Sequence, residues 1–72
     1  MNDEYIKGFD KVILGVIRTK DNGDQTLFDF PSRKILGFYI ASDNTTREFS
    51  YKIVSQGNTL VALLYKYKGQ NK

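Results

Sequence analysis

Chemistry in this chain would have to come from its acids, tyrosines and lysines, because it contains neither cysteine nor histidine. Without them there is no disulfide framework, no thiolate metal site and none of the common zinc constellations. The acids are Asp3, Glu4, Asp10, Asp21, Asp24, Asp29, Asp43 and Glu48. Asp21 and Asp24 flank Asn22-Gly23 and could hold a hard cation, but the spacing lacks the alternating ligands and closing glutamate of a calcium loop. Forming and solvating a tight turn is their simpler role. Asp29 sits inside an apolar segment, where a carboxylate is either an edge-strand charge that deters aggregation or a partner for Arg18. Gly57 and Gly69 lack the strand-to-helix setting of a phosphate loop. This inventory points away from an enzyme, and no cofactor or metal is expected.

The basic candidates cluster near the C-terminus. Residues 49–72 contain Lys52, Lys66, Lys68 and Lys72 and no acid, so the formal charge of +3 comes from the last third. Tyr65-Lys66-Tyr67-Lys68, read as a strand, puts tyrosines on one face and lysines on the other. Nucleic-acid platforms want rings and cations on the same exposed face. Lys52, Tyr65, Lys66 and Lys68 are therefore candidates for an alternative RNA or single-stranded DNA function, with Tyr39 and Tyr51 as lesser contributors. Lysines that keep a sheet edge soluble are the plainer explanation.

The elements that would position these groups read as β-structure. Five segments, 11–19, 25–30, 34–42, 47–55 and 59–67, are rich in Val, Ile, Phe, Tyr and Thr. Turns are expected at Asn22-Gly23, Pro31 to Arg33, Asp43 to Thr46 and Gly57-Asn58. The expected fold is an all-β, five-stranded antiparallel meander over 11–67, strongly twisted and barrel-like. Residues 1–10 are expected to form an arm or short helical turn, and 68–72 a tail, in a single domain.

A two-residue loop at Asn22-Gly23 pairs Ile17 with Phe28 and Gly15 with Phe30. A four-residue loop at Asp43 to Thr46 pairs Ile40 with Phe49, Phe38 with Tyr51 and Leu36 with Ile53. A Gly57-Asn58 loop adds Ile53 with Ala62 and Tyr51 with Leu64. The expected core is Ile13, Ile17, Phe28, Phe30, Leu36, Phe38, Ile40, Phe49, Tyr51, Ile53, Ala62 and Leu64. A weak repeat around Gly15, Gly37 and Ala62 conflicts with this register, which puts Gly37 on the other face.

That other face is also apolar, and a small monomer rarely exposes so much contiguous apolar surface. Val12, Leu14, Val16, Tyr39, Val61, Leu63 and Tyr65 are therefore expected to contact a second copy of the chain or another protein. A third possibility is a small ligand held between subunits near Tyr39, Arg18 and Asp29. The longest apolar runs fall far short of the roughly 20 residues that span a bilayer, and no apolar segment follows the acidic start. No membrane association and a cytoplasmic location are expected.

Overall fold

The computed structural model describes residues 2–8 and 10–70, and the side chains of all of these except Gln70. Phe9, which the sequence reading put in the N-terminal arm, lies outside the described residues. The described residues form six strands, β1 (Asn2–Lys7), β2 (Ile13–Thr19), β3 (Gln25–Asp29), β4 (Ile35–Ile40), β5 (Thr45–Glu48) and β6 (Ile53–Gln56), followed by one helix, α1 (Leu60–Gln70). The strands form one antiparallel sheet in sequence order, a meander. The all-β meander expected from the sequence is therefore present. It is not closed, since β1 and β6 remain as edges.

Four expectations about the elements need correction. Residues 2–7 are a strand rather than an arm or helical turn: Ile6 lies opposite Gly15, and Asp3 lies opposite Arg18. The segment 47–55 is two strands joined by a tight turn, in which the Glu48 N–H bonds the Lys52 carbonyl and the Tyr51 N–H bonds the Glu48 carbonyl. The segment 59–67 is helical. Its Leu60, Leu63, Leu64 and Tyr67 recur at intervals of three, four and seven, which is one face of a helix. The expected tail is partly helical too, since α1 continues through 68–70.

The register moves because the first loop is three residues long. The Lys20 N–H bonds the Asp24 carbonyl, the Gly23 N–H bonds the Lys20 carbonyl, and Gly23 takes φ +94°. Ile17 therefore pairs with Leu27, Val16 with Phe28 and Gly15 with Asp29. A shift of one residue turns every side chain of a strand to the opposite face. Farther on, Ile40 pairs with Thr45 and Phe38 with Arg47, not with Phe49 and Tyr51.

The core consists of Ile17, Leu27, Leu36, Leu60 and Leu64, with Ile6, Leu14, Tyr39, Leu63 and Tyr67 packed against it. Of the expected core, Ile17, Leu36 and Leu64 are buried, whereas Phe49, Tyr51, Ile53 and Ala62 are exposed. Two glycines make the seat for α1. A Cβ at Gly15 would lie 2.9 Å from both Leu64 methyls, and one at Gly37 would lie 2.5 Å from a Leu63 methyl. Gly15 and Gly37 thus share the helix-covered face, against the expected register, while Ala62, the third member of the weak repeat, lies exposed on the helix itself.

Buried polar groups pin the start of α1. The fully buried Thr46 hydroxyl donates to the Gly57 carbonyl at 2.6 Å and accepts from the Thr59 N–H at 2.9 Å. Thr59 and Ser55 hydroxyls share a further hydrogen bond. Thr59 stands at the N-terminal cap, where donors have no partner inside the helix.

Candidate functional site

Two surfaces stand out, on opposite sides of the sheet. The first is an apolar groove of about 600 Å³ between α1 and the β4–β5–β6 end. Its walls include Ile35, Leu36 and Val54 from the sheet and Ala62, Leu63 and Tyr67 from the helix. Lys34, Lys66 and Glu48 supply its charged groups. Phe49, at the tip of the β5–β6 turn, also borders it and is 70% exposed. That turn contains no glycine, and Tyr51 takes the left-handed place at φ +76° that Gly23 takes in the first hairpin. The Tyr51 ring meets Phe38 edge-on at 5.1 Å and lies under the Arg47 guanidinium at 5.1 Å, contacts that offset an unfavourable backbone.

The groove continues onto an open strand edge. Ile53 and Val54 of β6 are both exposed, and β6 pairs only with β5. Its outer peptide groups have no strand to bond among the described residues.

The second surface is the sheet face opposite α1. Strand pairing puts Asp3, Arg18, Thr26, Phe38 and Arg47 in one row across five strands, and Tyr5, Val16 and Phe28 in the next. Arg18 donates from Nε to Asp3 Oδ1 at 2.9 Å and from its terminal nitrogen to Oδ2 at 3.2 Å, and its guanidinium lies 5.4 Å above the Phe28 ring. The Arg18 bond holds the Asp3 carboxyl below its ordinary value, and Asp3 in turn raises Arg18. Asp43 is also lowered, by the Thr45 hydroxyl and by Arg47, which donates to it at 2.7 Å. Tyr5, Val16, Arg18, Phe28, Asp3 and Arg33 enclose a hollow of about 130 Å³.

The nucleic-acid candidates from the sequence are not brought together. Lys68 is committed to the sheet: its Nζ lies 2.6 Å from Asp29 Oδ1 and donates to the Phe30 carbonyl at 2.9 Å. Burial pushes the Asp29 carboxyl up, but Lys68, the Ser32 hydroxyl and the Phe30 N–H outweigh it and hold it below the ordinary carboxylate value. Asp29 is thus an anchor for the helix rather than a partner for Arg18. Lys66 borders the groove, Tyr65 is exposed on α1, and Lys52 lies in the β5–β6 turn.

The protein-interface candidates scatter likewise. Leu63 sits over Gly37, and Leu14 and Tyr39 pack against the core, while Val16 is half-buried on the open face. Val61 and Tyr65 are exposed one turn apart on α1, and Val12 is exposed just before β2. The ligand trio also separates, because Tyr39 donates to Asn44 at 2.6 Å, Asp29 holds Lys68 and Arg18 faces the other side. Asp24 does structural work, accepting from the Ala41 N–H at 2.8 Å. Among the described residues, no three side chains of metal-ligating type cluster, and no helix is long and apolar enough to cross a membrane.

The sequence reading put Ile35 and Val54 on the second apolar face without naming them as interface residues, put Phe49 in the core, and gave Arg33 only a place in a turn. Phe49 carried a signal in retrospect, since Glu48, Ser50 and Lys52 around it are as compatible with a turn as with a strand. No family model, curated protein or solved structure matches this chain.

Proposed function

We propose that this protein is a small non-enzymatic binding module that works by self-association, with the β6 edge and the adjoining groove as the interface between copies. The observation that carries this reading is Phe49, a large ring left 70% exposed beside an apolar groove. One chain thus offers both an apolar knob and an apolar hollow, as a self-complementary contact requires. Exposed Ile35 of β4 and Val54 of β6 line the groove, and Val54 carries this apolar surface to the unpaired β6 edge. Burying each such side chain contributes about 1.5–3 kcal/mol, and pairing the edge gives its peptide groups partners. Lys34, Lys66 and Glu48 around the groove provide charges of both signs, which suits a second copy with the same set.

Native mass spectrometry and sedimentation velocity test the reading. The wild-type chain is expected to form a dimer if β6 meets β6, or a larger closed assembly if β6 meets β1. Phe49→Glu and Val54→Lys are each expected to yield a monomer with an unchanged circular-dichroism spectrum. A wild-type chain that stays monomeric as its concentration is raised would overturn the proposal.

A further inference from the structure

We propose that the open face of the sheet binds single-stranded nucleic acid, one base entering the hollow between Tyr5 and the Arg18–Phe28 stack. This surface is separate from the self-association groove and does not depend on it. Antiparallel register collects Tyr5, Phe28 and Phe38 with Arg18 and Arg47 on one side of the sheet, the mixture of rings and cations that base stacking uses. The C-terminal residues do not provide this mixture, because Lys68 is held by Asp29.

The arginines are arranged as planes rather than as free charges. The two-point contact to Asp3 fixes the Arg18 guanidinium, and the Phe28 ring supports it from below. Its other side is a flat cationic surface on which a base can stack. Tyr5 on the edge strand is half-exposed and borders the same hollow, whose 130 Å³ has room for a planar ring but not for a duplex.

Charge supports the choice of occupant. Arg18, Arg33 and Arg47 face Asp3 and Asp43 on this side, and both of those carboxylates are taken up by Arg18 and Arg47. Arg33 borders the hollow, where its charge helps hold the Asp3 carboxyl down without forming a salt bridge to it. A base stacked between Tyr5 and Arg18 would bring its phosphate toward Arg33. With so few cations, affinity should come mostly from stacking and depend only weakly on salt. Each phosphate neutralised on a single strand contributes a slope of about −0.7 in log K against log salt.

Fluorescence anisotropy with labelled oligouridine, oligothymidine and a duplex of the same length tests this. The single strands should bind and the duplex should not. Tyr5→Ala should weaken binding by about fivefold or more, the usual effect of removing one stacking ring. Arg33→Asn keeps a residue that tolerates the observed φ of +62° and should flatten the salt slope by about 0.7. Lys66→Ala, on the helix side, should leave binding unchanged. The proposal fails if single strands do not bind, if the duplex binds equally, or if free uridine monophosphate binds but the oligonucleotides do not. It also fails if Lys66→Ala alone removes the affinity. If Tyr5→Ala does not fold, Arg33→Asn in an exposed turn decides: an unchanged slope and affinity would overturn the inference.

Discussion

The two faces of the sheet are built by opposite means. The face under α1 has Gly15 and Gly37 where side chains would be expected, and leucines of the helix descend into the space they leave. The open face is built instead from long side chains: arginines lie over rings, and carboxylates hold the arginines. Shape is specified on the first face and charge on the second. Stability should therefore respond sharply to small volume changes under the helix and hardly at all to charge changes across the sheet.

Leu64→Ala breaks the covered face most severely. Leu64 is fully buried over Gly15, and its truncation should destabilise the fold by about 2–5 kcal/mol in chemical denaturation, enough to unfold much of a domain this small. Gly15→Val tests the same contact from the sheet side. A Cβ there would lie 2.7 Å from the Phe28 carbonyl oxygen as well as against Leu64, so overpacking should cost about 1–3 kcal/mol. By contrast, adding one methylene at half-buried Val16 on the open face, Val16→Ile, should leave the denaturation midpoint nearly unchanged.

Lys68→Met sharpens the comparison through pH. Asp29 has a folded pKa below its unfolded value of about 3.9, so the ion pair stabilises the protein above that value and is lost as pH falls through the lower folded one. At neutral pH the variant should lose about 1–3 kcal/mol, with buried Asp29 left without its cation. Thermal melts of the two proteins should draw together as the pH drops below about 4. The smallest effect belongs to Arg18→Gln, which removes the exposed pair with Asp3. Its melting temperature should be indistinguishable from wild type, while the oligonucleotide affinity proposed above should fall.

The legible parts of the fold were those where local chemistry has one answer. Asn22-Gly23 announces a reversal, and Gly23 does take the left-handed conformation. What it does not announce is the loop length, and that single residue reassigned Phe28 and Leu27 between faces. The β5–β6 turn was hidden because Tyr51, not glycine, occupies its positive-φ position, held by contacts to Phe38 and Arg47 that are distant in sequence. The helix was misread for another reason. Val, Leu and Tyr in 60–67 are compatible with a strand by composition, while the spacing of Leu60, Leu64 and Tyr67 is that of a helix. Of the candidate surfaces, an excess of apolar groups was readable, but their assignment to one sheet face was not, since it inherited the register.

From the sequence by itself came the antiparallel meander and most of its turns, because alternation and turn chemistry act over a few residues. Tertiary structure decided that 60–70 is a helix, that Gly15 and Gly37 are its seat, and that Arg18 and Arg47 lie over rings. Those outcomes depend on which strands meet and in which register, and a one-residue step that changes local energies little turns an entire strand over.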